Sequence, residues 1–186
     1  MKNLLKIVFT AFVMVCTTQM NAQKFSGLDK SPADIVSYPS SYRIADKTVK
    51  ITYSRPQLKG RSISELAPLG KVWRTGANEA VEITFYHDAT FGGKAVKAGT
   101  YSLFTIPGAN EWTVILNTNL NQWGAYSYQE AADVLRVKGS VSNGDESLEA
   151  FSMTFKDVEN GTHLVMGWGK TRVSVPILVT KMDKKM

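Results

Sequence analysis

The chain has 186 residues and a formal net charge of +6, and 44% of its residues are hydrophobic, which suits the core of one domain. Its lysines are scattered and form no basic stripe, so the sequence excludes a typical nucleic-acid binder. The single cysteine, Cys16, lies in the leader described next, and this excludes disulfide bonds and cysteine-ligated zinc from the rest of the chain.

The first 22 residues have the layout of a secretory signal peptide. Lysines precede an apolar run, polar residues follow, and the small residue Ala22 stands before Gln23. The apolar run is much shorter than the ~20 residues of a membrane-spanning helix. We therefore predict cleavage after Ala22 and a mature domain, residues 23–186, without a transmembrane segment, in the periplasm or at the cell surface. A retained anchor and lipidation of Cys16 are the alternatives.

Alternation of apolar and polar residues predicts β-strands along most of the mature chain. KTVKITYSRP places its apolar residues on one face, and AVEITFYHDATF repeats the pattern before Gly92 and Gly93, which indicate a hairpin. GTYSLFTI is the returning strand, and PGANE is the next turn. EWTVILN follows as the third strand of a meander, with Trp112 facing the core.

The second half continues with the predicted strands DVLRVKGSV, LEAFSMTF, THLVMGW and TRVSVPILV, separated by SNGDE, KDVENG and GK. Because Pro176 cannot donate to a ladder, we expect an edge or a bulge there. Helical structure is limited to single turns near Ser31–Asp34 and Ser64–Leu69. About eight strands at regular spacing predict one all-β domain, an antiparallel β-sandwich or a flattened barrel.

Two connections, residues 54–80 and 117–133, are long for a compact domain. Long irregular connections on a rigid scaffold are often functional. The first contains three arginines, whose planar forks would form an anion site if they converged. In the preferred alternative, each arginine binds loop backbone carbonyls or pairs with Glu65, Glu79 or Asp133. Four aromatic residues of the same loops, Trp73, Trp123, Tyr126 and Tyr128, would suit a sugar or another planar ligand by stacking beside the polar forks. The candidate ligand-binding residues are Arg55, Arg61, Arg74, Asn78, Glu79, Trp123 and Tyr126.

The two loops also carry motifs of a known family. YSRPQLKGR, KVWRTGANEA, KAGTYSLFTIPG, EWTVILN and WGAYSY…DVLR occur in this order. In these motifs the chain resembles the domain of unknown function 2911 family, a group of exported bacterial proteins, over residues 31–178. The family has no established activity. The resemblance therefore implies one exported domain and names no reaction.

The sequence offers little for metal or cofactor chemistry. His87 and His163 have no partner at metal-ligand spacing, and no nucleophile elbow or phosphate loop is present. We therefore predict no metal and no cofactor. The His87-Asp88 pair is the one weak ligand motif, and two ordinary surface histidines are the preferred interpretation.

The candidates for the acid and base of a hydrolase are Glu79, Glu82, Asp88, Glu111, Glu130 and Asp133. Glu79 and Asp133 are preferred, because each lies at the end of a long loop. The structural alternative makes them salt-bridge partners of Arg74 and Arg136. Within RTGANEA, Gly76 is expected in a turn conformation closed to other residues, and Asn78 is expected to adopt the left-handed conformation. Arg74 and Glu79 then either pair with each other or face a ligand.

These observations favour a non-catalytic binding module in the cell envelope. Its ligand would be an anionic or sugar-like molecule, or a protein partner. A hydrolase acting on envelope polysaccharide or peptide is one alternative. A purely structural envelope protein, with a flat surface over the two loops, is the other.

Overall fold

A computed structural model describes residues 23–179 of the chain, so the predicted signal peptide lies outside the described residues. No helix within this range is long and apolar enough to cross a membrane. A 3-10 turn, Glu130–Ala132, lies between the seventh and eighth strands. The other elements in chain order are β1 (Ala33–Tyr38), β2 (Val49–Ser54), α1 (Ile63–Leu66), β3 (Val81–Phe85), β4 (Ala89–Phe91), β5 (Lys94–Val96), β6 (Gly99–Ile106), β7 (Glu111–Asn117), β8 (Asp133–Val158) and β9 (Gly161–Val179).

The nine strands of the described range form one antiparallel sheet in the order β1-β2-β3-β6-β7-β8-β9-β4-β5. The sheet bends back on itself after β2. Phe151 N donates to Pro56 O at 2.9 Å and Leu58 N donates to Glu149 O at 3.0 Å, so this segment lies beside the middle of β8. The predicted all-β class is confirmed. The sheet is not closed into a barrel, and the architecture is sandwich-like.

The edge strand β1 replaces a predicted helical turn. Ser31–Asp34 was expected to start a helix, because serine and proline fit the cap and the first helical position. That prediction is wrong, since β1 pairs with β2 from Ala33↔Ser54 onward. The ladder satisfies more backbone groups than a single isolated turn would.

The second predicted helical turn is confirmed as α1, which begins one residue earlier than expected. Ser62 caps it: its side chain accepts from Glu65 N, and the Glu65 carboxylate accepts from Ser62 N at 2.6 Å. This reciprocal capping box explains why so short a helix forms at this point.

The stretch AVEITFYHDATF forms two strands instead of one. β3 pairs with β6, whereas β4 pairs with β9 and β5. Gly92 and Gly93 connect β4 to β5 with φ angles of 56° and 82°, so the predicted hairpin is confirmed, although its returning strand is β5 and not β6. A Cβ at Gly92 would lie 2.5 Å from the Cβ of Val137, so glycine is also required for close packing.

The predicted turns SNGDE and GK are wrong, because both lie inside long bent strands, β8 and β9. The register shifts between Asn143 and Leu148, and Gly169 has a φ of 50°. Arg172 holds this irregularity together by donating to Glu146 O at 2.7 Å and to Gly169 O at 2.9 Å. A side chain thus supplies the bonds that the interrupted ladder lacks.

The expected edge or bulge at Pro176 is also not found, because β9 is an internal strand. β9 pairs with β8 as far as Ser174 and with β4 from Ile177 onward. Pro176 therefore stands where β9 passes from one partner to the other. No ladder donor is needed at that point.

The main core lies between the two halves of the bent sheet and contains a cluster of aromatic rings. Trp73 stacks on Trp168 with centroids 5.5 Å apart and an interplanar angle of 10°. Phe151 and Trp112 contact Trp73 edge-on, at 5.2 Å and 6.1 Å. Trp112 is only 4% exposed, which confirms its predicted core position.

A second, smaller core lies on the opposite face of β6 and β7. Ala80, Phe104 and Ile115 are buried there, and the ring of Tyr128 packs 5.1 Å from that of Phe104. Residues 118–132 cover this outer face. Since β6 and β7 are covered on both faces, this long loop rests on a rigid support.

Candidate functional site

The two long loops meet at one place, where a short piece of each runs antiparallel to the other. Gly124 N donates to Asn78 O at 3.0 Å, and Ala80 N donates to Gln122 O at 2.8 Å. Glu79 and Trp123 form the bridge between these bonds. We call residues 78–80 and 122–124 the loop junction. Backbone hydrogen bonds from both sides fix its geometry.

The sequence RTGANEA forms this junction through two left-handed residues. Thr75 has a φ of 61° and Asn78 a φ of 58°, so the predicted conformation of Asn78 is confirmed. The predicted turn conformation of Gly76 is wrong, because its φ is not in the left-handed region. A Cβ at Gly76 would lie 2.9 Å from Ser54 O, so close backbone approach, not turn geometry, requires glycine there.

Two aromatic side chains project from the loop junction and its continuation. Trp123 is 64% exposed and Tyr126 is 86% exposed. A Cβ at Gly124 would lie 2.7 Å from the Tyr126 ring, so this ring packs against the bare backbone of Gly124. Residues directly opposite in an antiparallel pair share a face, which places Glu79 beside Trp123. We call Trp123 and Tyr126 the aromatic platform.

A small cleft of about 110 Å³ adjoins the loop junction at the ends of β2 and β3. Two carboxylates border it, those of Glu79 and Glu82, and neither forms an ion pair with another described residue. Glu82 Oε1 accepts only a long bond from Asn121 N, at 3.4 Å. The residues lining the cleft are Ala33, Thr52, Tyr53, Ser54, Glu79, Ala80 and Glu82.

Arg55 anchors the fold. Its Nε donates to Phe151 O at 3.0 Å, one terminal nitrogen donates to Ser152 Oγ at 2.6 Å, and the other pairs with Asp34 at 3.1 Å. All three contacts tie β1 and the end of β2 to β8. The guanidinium fork is therefore fully used within the protein.

Arg61 is exposed and folds back on its own loop. Its Nε donates to Leu58 O at 3.0 Å, and a terminal nitrogen donates to Gln57 O at 2.9 Å. The guanidinium groups of Arg61 and Arg55 thus bind different carbonyls in different places. The structure does not bring the three arginines of the first loop onto one set of partners.

Arg74 differs from Arg55 and Arg61, whose Nε atoms both donate to backbone carbonyls. Its Nε is buried and has no hydrogen-bond partner. No ion pair within the described chain involves Arg74, so it does not pair with Glu79. Of the two interpretations of this pair that the sequence left open, mutual pairing is therefore not observed.

Asp133 is the centre of a closed polar network. Its side chain is 8% exposed and accepts from Arg136 Nε at 2.7 Å, Tyr128 OH at 2.6 Å and Asn117 Nδ2 at 2.8 Å. Glu130 adds a second ion pair to Arg136 at 3.2 Å. The interpretation of Asp133 as a salt-bridge partner of Arg136 is thereby confirmed, and its carboxylate is already fully bonded.

The same network shifts the titration of its members. Desolvation and the hydrogen bond to Asp133 raise the pKa of Tyr128 to about 12. The hydrogen bond from Arg136 to Asp133 raises the pKa of Arg136 further above its ordinary value. Tyr128 stays neutral and Arg136 stays charged at physiological pH, as an anchor requires.

The histidines have ordinary partners. His87 Nε2 lies 3.1 Å from Asp46 Oδ1, and His163 Nδ1 lies 3.0 Å from Ser174 Oγ. Asp88 bonds instead to Lys97, which lowers the pKa of the Asp88 carboxyl. Within residues 23–179, no group of three or more histidine, cysteine, aspartate or glutamate side chains is placed to hold a metal ion.

The sequence identified three of the six residues of the loop junction, Asn78, Glu79 and Trp123. It offered Glu82 only as one of six candidate carboxylates, and it missed Ser54, which also lines the cleft. Glu82 alternates with Val81 and Ile83 in β3, so it resembled an ordinary outward-facing strand residue. The cleft arises because the loop junction ends beside this strand. That proximity has no signal in the local sequence.

The family model described as Protein of unknown function (DUF2911) matches residues 31–177. This range agrees with the region in which the sequence motifs show the resemblance. No curated protein and no solved structure matches the chain.

Proposed function

The chain belongs to the DUF2911 family of proteins of unknown function, and we propose that it is a non-catalytic binding module of the cell envelope that holds a sugar-like ligand on its aromatic platform. One observation carries the proposal: Trp123 and Tyr126 are 64% and 86% exposed on a segment that backbone hydrogen bonds hold in place. The other tryptophans of the described residues, Trp73, Trp112 and Trp168, are buried.

The chemistry of the surroundings suits a carbohydrate. An exposed ring offers a flat apolar surface for the C–H face of a sugar, while a neighbouring carboxylate accepts hydrogen bonds from its hydroxyls. Glu79 beside Trp123 and Glu82 in the adjoining cleft supply such acceptors. Two rings and a small cleft also form a smaller apolar area than the contiguous patch of most protein interfaces.

The hydrolase alternative receives less support. It needs Glu79 and Asp133 as a pair of free carboxyl groups, and Asp133 is held by three hydrogen bonds in a closed network. A buried carboxylate that is fully bonded to Arg136 is a poor proton donor or acceptor. A purely structural role leaves the exposure of Trp123 and Tyr126 without a reason.

Binding to immobilised and soluble oligosaccharides tests the proposal. The mature chain, residues 23–186, is titrated against a panel of neutral and acidic oligosaccharides by calorimetry and tryptophan fluorescence. We expect W123A to weaken the affinity at least about tenfold, because a central aromatic anchor contributes 1.4 kcal/mol or more. Y42A is the matched control, since Tyr42 is also 86% exposed and should leave binding unchanged. Binding that survives in W123A, or no binding across the panel, contradicts the proposal.

The envelope location rests on the leader in the sequence. Expression in a Gram-negative host followed by fractionation and N-terminal analysis should place the protein outside the cytoplasm, beginning at Gln23. A variant lacking residues 1–22 is the control and should stay in the cytoplasm. Full-length protein in the cytoplasmic fraction would contradict the proposed location.

A further inference from the structure

Arg74 carries a buried donor that the fold itself does not use. Its Nε is buried without a hydrogen-bond partner, whereas Arg55 and Arg61 in the same loop donate to carbonyl and hydroxyl oxygens. Buried polar groups in native proteins are nearly always hydrogen-bonded, and an exception calls for a reason. Fixed donors aimed at the position of a negatively charged group are a feature of binding and catalytic sites.

The backbone places Arg74 next to the loop junction. Trp73 pairs with Thr105 and faces the main core, while Val72 packs on the small outer core. Side chains alternate along an extended segment, so Arg74 follows Val72 to the outer face. This is the face covered by residues 118–132, the segment that carries the aromatic platform.

Two steps, each from one backbone segment to the hydrogen-bonded segment beside it, lead from Arg74 to the segment that carries the platform. Val81 N donates to Arg74 O at 3.2 Å, and the adjacent Ala80 N donates to Gln122 O at 2.8 Å. Two such steps amount to about 10 Å, twice the spacing of paired strands. The backbones of Arg74 and Gln122 thus lie on opposite sides of residues 80 and 81, and an oligosaccharide longer than one sugar ring is long enough to span this separation.

We propose that Arg74 binds a carboxylate group of the ligand, so that the platform takes an acidic oligosaccharide in preference to a neutral one. This inference rests on the proposed function and names its ligand class. A guanidinium fork matches a planar carboxylate through two parallel hydrogen bonds. Glu79 and Glu82 border the adjoining cleft, and their charges repel a doubly charged phosphate monoester more strongly than a singly charged carboxylate. A sulfate ester is also singly charged, but a planar carboxylate fits the planar guanidinium fork better.

The test compares one oligosaccharide in two forms, oligogalacturonate and its methyl ester, by calorimetry on the mature chain. The wild type should bind the acid about tenfold or more tightly than the ester, because a charge-assisted bond is lost in the ester. R74A should bind both forms equally and retain the affinity for the ester. R61A is the matched control and should keep the preference, because Arg61 donates only to its own loop. The Nε–Hε resonance of Arg74 should shift with the acid alone.

The outcomes separate this inference from the proposed function. Equal binding of acid and ester by the wild type, or a preference that survives in R74A, overturns the role of Arg74 and leaves the platform standing. An Arg74-dependent preference that W123A does not weaken supports the role of Arg74 and overturns the platform. If the wild type binds neither the acid nor the ester, the role of Arg74 and the aromatic platform are both overturned.

Discussion

Asp133 and Glu79 end the two long loops in the same way, yet the fold treats them oppositely. Asp133 is 8% exposed at its side chain and accepts three hydrogen bonds from residues of its own loop end. Glu79 is exposed and forms no ion pair with another described residue. Charged residues with complete partner sets hold the loops in place, and those without partners form the candidate site.

The largest expected effect is on the free energy of unfolding, and it tests the contrast between Asp133 and Glu79 directly. D133A should lower the free energy of unfolding by about 2–3 kcal/mol, because Arg136 and Asn117 lose a buried acceptor. E79A should change it by less than about 0.5 kcal/mol, the usual range for a surface substitution. Urea denaturation of both variants gives the two values. Equal losses would mean that Glu79 is also an anchor.

A second pair of variants applies the comparison to the arginines of the first loop. R55A should cost about 1–2 kcal/mol, since three hydrogen bonds between β2, β1 and β8 are lost from a group that is one-third exposed. R74A should leave stability unchanged or raise it, because it removes a buried donor without a partner. The midpoint and slope of urea unfolding distinguish the two. A larger loss in R74A than in R55A would show that Arg74 is structural.

Much of the fold follows from local pattern. Alternation predicted the strands around Trp112, and the left-handed preference of asparagine predicted the conformation of Asn78. Local pattern failed where a strand bends without ending. The turn-like SNGDE stretch lies inside β8, because Arg172 bonds across the irregularity from β9.

The site was harder to predict, because the sequence shows which residues can form it but not which are already occupied. Arg55 bonds to the carbonyl of Phe151, which lies 96 residues further along the chain. No local pattern reveals that partner, so Arg55 and Arg74 looked equivalent. Only the three-dimensional pairing distinguishes an arginine that anchors β2 from one whose Nε has no partner.

The smallest predicted effect concerns pH and the anchored region. The fold raises the pKa of Tyr128 from 10.0 to about 12, because burial and the bond to Asp133 favour the neutral phenol. A raised pKa means that this contribution to stability is complete below pH 10 and is lost as pH rises toward 12. The wild type should therefore lose more unfolding free energy over this window than Y128F does.

Y128F starts at a lower stability, since it lacks the hydroxyl that bonds to Asp133 and Arg136 at neutral pH. The two unfolding curves should then converge between pH 10 and 12, because the ionised phenol no longer donates to the carboxylate of Asp133. Denaturation at several pH values measures the gap between them. A gap that stays constant across the window would mean that folding does not raise the pKa of Tyr128. A gap of zero at every pH would mean that the Tyr128 hydroxyl does not contribute to the anchor, and the contrast with the exposed, unpaired Glu79 would then rest on Arg136 and Asn117 alone.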